Sequence, residues 1–192
     1  MCGRRNIPEG SEVVGADFIH PAFPMLLPDL PDHARLWIFT ADRTLSASEQ
    51  ARLCGTVERF VATWASHGRP VPGGALLLED RFVVVAAHPE GGVSGCGIDS
   101  LVHAVEAAGD DVGVAWVDGL QVVYRDADGE VRVLPRPAFR RLAREGTVTA
   151  ATSVFDTTLA TLGDLRSAGL ERPAGSAWHG RAFRLAELAR AE

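Results

Sequence analysis

Cys96 lies within GGVSGCGIDSLVHAVEAAG, residues 91–109. Glycines and a serine surround it, and Ile98, Leu101, Val102 and Val105 follow at helical spacing. This places the thiol at the start of a helix. Unpaired N–H groups and the positive end of the helix dipole favour a thiolate there. The thiolate is the nucleophilic form of a cysteine. With His67 as base and Asp99 as orienting acid, Cys96 would act as the nucleophile or redox centre of a thiol-dependent enzyme. The backbone of Gly92, Ser94, Gly95 and Gly97 would offer N–H groups to an oxyanion or a bound anion, which needs no catalysis. Each residue also has a plain structural reading. Cys96 fills a tight turn, Asp99 caps the helix, His67 sits against the end of the preceding helix dipole, and Trp64 and Cys54 pack in the core.

The elements that must position these groups begin at residue 34. ARLWIFT (34–40) reads as a strand. Ser46 and Glu49 form a capping box ahead of a stripe of Leu53, Val57, Phe60, Val61 and Trp64. That helix is expected over 46–67, with His67 in its last turn and Gly68 as its stop. ALLLE (75–79) and RFVVVAAH (81–88) read as a hairpin, and a second helix follows over about 97–108. VGVAWV (112–117), LQVVYR (120–125) and EVRVL (130–134) read as a meander, with Asp118-Gly119 and DADG (126–129) as its turns. Pro137 opens a short helix to Glu145, and a last helix is expected near 180–191. The fold class is therefore α+β, a ferredoxin-like β-α-β-β-α-β core extended by the meander, with both long helices on one face of the sheet. Counting strand directions brings His67, His88, Cys96 and the Asp118-Gly119 turn to one end of that sheet. Residues 1–33 hold Pro8, Pro21, Pro24, Pro28 and Pro31 and show no periodicity. They read as a proline-rich arm adding little to a single domain over 34–192, laying Phe18, Phe23 and Leu26 on its surface.

Composition narrows the chemistry. All 19 Lys+Arg side chains are arginine, so Walker-type phosphate loops, Schiff bases and pyridoxal phosphate chemistry have no lysine to use. The net charge of −6 disfavours nucleic acid as a partner. Arg136, Arg140, Arg141 and Arg144 read as the solvated face of one helix. The 3 cysteines lack CxxC spacing, which gives no disulfide framework and no recognisable metal site. No apolar run reaches the roughly 18 residues of a membrane span, and no signal peptide is visible. The expected location is cytoplasmic, with no cofactor implied and an exposed strand edge that leaves room for a homodimer.

FVATWASHGRPV, RFVVV, SGCGID and SAWHGRAF, in that order, resemble the signature blocks of a small uncharacterised bacterial family. Its members often carry the automatic label "ABC transporter ATPase". The resemblance spans roughly residues 34–183 and implies no established activity. It matches Trp64, His67, Arg81, Cys96, Ile98, Asp99, Trp178, His179, Arg181 and Phe183, and so adds Trp64, Arg81, Trp178 and His179 as candidate ligand contacts. Gly97 stands where the family carries serine. The ATPase label conflicts with the missing GxxxxGK[ST] motif. The reading that results is a non-catalytic module binding a small anionic ligand or a protein partner at residues 91–99, with the thiol-dependent enzyme as its alternative.

Overall fold

The computed structural model describes residues 26–88 and 92–185. In chain order its elements are β1 (Arg35–Thr40), α1 (Ala47–Thr63), β2 (Ala65–Ser66), β3 (Arg69–Pro70), β4 (Gly73–Leu78), β5 (Phe82–Ala87) and α2 (Gly95–Val112). Then come β6 (Gln121–Arg125), β7 (Val131–Pro135), α3 (Arg136–Arg144), β8 (Ser153–Phe155), α4 (Leu162–Ala168), β9 (Glu171–Pro173) and α5 (Trp178–Ala182). The protein is α+β. Inside the span read as one domain, the chain groups into two compact units, Met1–Ala115 with Ala160–Gly169, and Trp116–Leu159 with Leu170–Glu192.

The first unit is built around β5. Its 6 side chains are all buried, and burying each large apolar one stabilises the fold by about 1.5–3 kcal/mol. Continuous burial fits a central strand, and the sheet order is β1-β5-β4 with both pairings antiparallel. The fourth strand expected at 112–117 does not form. Val112 instead continues the buried stripe Leu101, Val105 and Ala108 to the end of α2, where Gly113 takes the left-handed conformation (φ 70°) that stops the helix. Beside β1, Arg35 makes an isolated antiparallel bridge to Thr161. α1 and α2 pack against one another.

α1 starts as its sequence dictates. Ser46 and Glu49 form the capping box, and Arg43 grips the Glu49 carboxylate at 2.8 Å. The Arg43 hydrogen bond, helped by the Ser46 backbone and side chain, holds the Glu49 carboxyl down at about 2. The helix ends earlier than its stripe suggests. Thr63 is its last residue, and the chain turns through a hairpin, β2 to β3, whose two turn residues His67 (φ 52°) and Gly68 (φ 75°) are both left-handed. His67 is therefore a hairpin-turn residue and not part of the helix terminus.

The end of the proline-rich segment belongs to this unit. The Arg166 guanidinium of α4 donates to the carbonyls of Leu26, Leu27 and Leu30 at 2.8–3.2 Å and to the Asp32 carboxylate at 2.5 Å. Leu30 is buried, and Leu27 sits on Gly74, where a Cβ would meet it at 2.7 Å. The expectation that 1–33 adds little to the core is thus corrected for 26–33. Phe18 and Phe23, expected on the domain surface, lie outside the described residues.

The second unit has its own antiparallel sheet, β7-β6-β8-β9, and so does not extend the first. Asp118-Gly119 is not a hairpin turn. Asp118 Oδ1 accepts the Leu120 N–H at 2.7 Å and leads into β6. Gly129 (φ 82°) closes the expected turn between β6 and β7. Val122, Tyr124, Phe139, Val154, Phe183 and Leu185 form the core of the unit. The arginines of α3 are exposed, as a solvated face requires. α5 ends at Ala182, so the expected helix near 180–191 is shorter over its described part, and 186–192 lie outside the described residues.

Candidate functional site

The first turn of α2 is stitched to the end of α1 by three side chains. Ser94, not Asp99, is the N-cap, and its Oγ accepts the Gly97 N–H at 3.3 Å. The Ser94 N–H donates to Ser66 Oγ at 3.1 Å, and the two hydroxyls lie 2.8 Å apart. Trp64 follows the last residue of α1, and its buried indole N–H donates to the Gly97 carbonyl at 3.1 Å. Trp64 is 3% exposed and packs against Phe60 and Trp37. The strand directions place the β2–β3 hairpin and the α2 start at the end of the sheet where Gly73 faces Ala87. Ser66 was not singled out in the sequence; a small hydroxyl next to His67 carries no signal of its own.

Two backbone donors remain in that turn. Gly97 N–H is taken by Ser94 Oγ and Ile98 N–H by the Ser94 carbonyl at 3.0 Å. Among the described residues, the N–H groups of Gly95 and Cys96 meet no acceptor. The first turn holds no acidic side chain to offset the helix dipole. Asp99 is exposed one turn on, and Cys96 is an exposed free thiol. Gly92 is exposed with φ 59°. Gly97 is crowded: a Cβ there would meet Val93 at 3.2 Å and Ser66 at 3.4 Å. Glycine suits that close approach.

The other candidates fall elsewhere. His67 is exposed, and no hydrogen bond joins it or Asp99 to Cys96 among the described residues. Arg81 is buried in the β4–β5 loop, reaching Thr44 Oγ1 at 3.4 Å. That loop is at the opposite end of β5 from Ser94, so Arg81 does not join this turn. Trp178 and His179 belong to the second unit. Among the described residues no group of three metal-binding side chains forms, and no helix is long and apolar enough to cross a membrane.

Around His179 the second unit holds a buried polar cluster that sequence reading missed. Asp156 is 2% exposed and accepts from the Thr158 N–H at 3.1 Å, the Thr158 hydroxyl at 2.6 Å and the Arg172 guanidinium. Burial pushes the Asp156 carboxyl up, but the Thr158 and Arg172 hydrogen bonds outweigh it and hold it below its ordinary value. Burial pushes His179 down to about 4, with Asp156 opposing and Arg172 and Arg136 adding. His179 is therefore neutral at pH 7.

A pH dependence of stability follows. The unfolded chain takes up a proton on His179 near its ordinary 6.5, while the folded protein resists until about 4. The unfolded state then binds more protons over that interval, so stability is whole above about 6.5 and declines as pH falls toward 4. The loss is expected to reach about 2–3 kcal/mol. Chemical denaturation across that range checks it, and His179→Gln should flatten the slope.

No family model, curated protein or solved structure matches this chain.

Proposed function

We propose that the protein is a non-catalytic module that binds a small anion at the first turn of α2. The observation that carries this reading is the pair of N–H groups on Gly95 and Cys96, left without an acceptor at the N-terminus of a helix of 18 residues. An anion there completes the hydrogen bonding and meets the positive end of the dipole. Ser66 and Trp64 hold the turn rigid from behind, which lowers the ordering cost of binding. The hairpin tied to it also carries His67 and Arg69. The likeness to the bacterial family belongs to the same proposal, since this chain's WASH and SGCGID stretches, two of the matching blocks, fall on the residues that build this turn.

The exposed thiol of Cys96 favours the second reading, a nucleophile, but that reading lacks a base bonded to the sulfur. Alkylation separates the two. Cys96 shares the turn with the ligand, whereas Cys54 is buried. Inorganic phosphate at constant ionic strength is expected to slow alkylation of Cys96 severalfold, with a saturating dependence. An unchanged rate at all phosphate concentrations would count against the anion site. Turnover or covalent labelling that is lost in Cys96→Ser would favour the enzyme.

A further inference from the structure

The cluster around His179 contains buried polar atoms that the protein leaves unanswered. Arg172 Nε, Trp178 Nε1 and His179 Nδ1 are cut off from solvent and have no hydrogen-bond partner. His179 itself is 1% exposed. An arginine Nε–H and an indole N–H can only donate. Leaving such groups unpaired in the interior costs about 1–3 kcal/mol each, and native interiors satisfy nearly all of them. What is missing is therefore an acceptor.

Trp178 and His179 are in contact, and Arg172 is near enough for its charge to act on His179. The rings of Trp178 and His179 stack with centroids 3.9 Å apart. His179 feels the charges of Asp156, Arg172 and Arg136. The charge balance gives the sign of the acceptor. Asp156 and Arg172 neutralise one another, and buried His179 is uncharged. Arg136 is left over, with its guanidinium 4.8 Å from the centroid of the Trp178 ring. Among the described residues no carboxylate pairs with it; it donates to the Gly119 carbonyl at 2.9 Å. The surroundings are close-packed. A Cβ on Gly180 would meet the Gly175 carbonyl at 2.9 Å, and one on Gly175 would meet Ala150 at 3.1 Å.

We propose that Arg172, Trp178 and His179, with Arg136 as the outer cation, form a second binding site, specific for a small oxyanion of the carboxylate or phosphate kind. It lies wholly within the second unit and uses none of the α2 residues.

Titration of the full chain with formate and, separately, with inorganic phosphate tests it at constant ionic strength. The reporter is the indole N–H resonance of Trp178, identified by its disappearance in Trp178→Phe. That resonance is expected to shift saturably with one of the two anions, and the arm in which it does so identifies the class. Trp178→Phe keeps the ring over His179 but removes a donor, and should bind that anion about tenfold more weakly by isothermal calorimetry. Arg136→Gln, at an exposed position, should weaken binding with an unchanged melt. An indole resonance unmoved by both anions overturns the proposal and leaves the cluster to water. So does a shift that saturates while Trp178→Phe and Arg136→Gln bind as tightly as the parent.

Discussion

Trp64→Ala is expected to lower the unfolding free energy by about 3–5 kcal/mol, the range for emptying a buried aromatic site. The tryptophan is 3% exposed and joins three parts of the first unit: its rings meet Phe60 of α1 and Trp37 of β1, and its indole N–H reaches Gly97 of α2. Two kinds of loss are combined in that value. Trp64→Phe separates them by keeping most of the apolar volume and removing only the indole hydrogen bond to the Gly97 carbonyl, which stays within the ladder of α2, at about 0.5–1.5 kcal/mol. Urea denaturation of both variants gives the comparison. If Trp64→Phe proved as stable as the parent, the indole hydrogen bond would not be what fixes the start of α2.

Asp156→Ala should destabilise the second unit by about 3–5 kcal/mol, because it breaks a buried ion pair from one side. The carboxylate is 2% exposed, and its removal leaves Arg172 without its counter-charge and Thr158 without its acceptor. Arg172 retains 21% side-chain exposure, so water recovers part of its charge and the lower end of the range applies. Asp156→Asn should lose less, since an amide oxygen still accepts from Thr158. Equal losses in the two variants would mean that the charge of Asp156 contributes little. Thermal and urea melts following the two units separately decide between these outcomes.

The parts of this fold legible in the sequence are those governed by local rules. The Ser46–Glu49 box, the stripe of α1, the fully apolar β5 and the glycine-serine entry to α2 each carry their signal within a few residues. The errors arise where two local signals overlap. Trp64 continues the stripe of α1 by spacing, and His67-Gly68 resembles a helix stop. The same dipeptide also suits a two-residue hairpin turn with both φ angles positive, and the chain takes that route. Val112 reads as the start of an alternating strand, yet it stands four residues after Ala108 on the buried face of α2. β8 and β9 are three residues each and pair across a separate helix, so their signal is non-local.

The candidate site divides along the same line. Cys96 is legible as a helix-start residue, because the glycines around it signal a helix entry directly, but the cap is Ser94 and not the expected Asp99. Ser66 becomes part of the site only through its bond to Ser94, 28 residues away. His179 was matched from its sequence block, but Asp156 and Arg172 were not. Only the β8–β9 pairing sets Arg172 opposite Val154, next to the segment that carries Asp156.

The two open N–H groups of α2 are the most direct reporters of the proposed anion site. Titration of the ¹⁵N-labelled protein with inorganic phosphate at constant ionic strength reads them directly. The amides of Gly95 and Cys96 are expected to show the largest shifts in the first unit and to share one saturation curve. Gly97, whose N–H is already bonded to Ser94, should move less. Amides of Gly95 and Cys96 that stay fixed while phosphate is raised, or that move no more than the exposed loops around them, would contradict the anion-binding function.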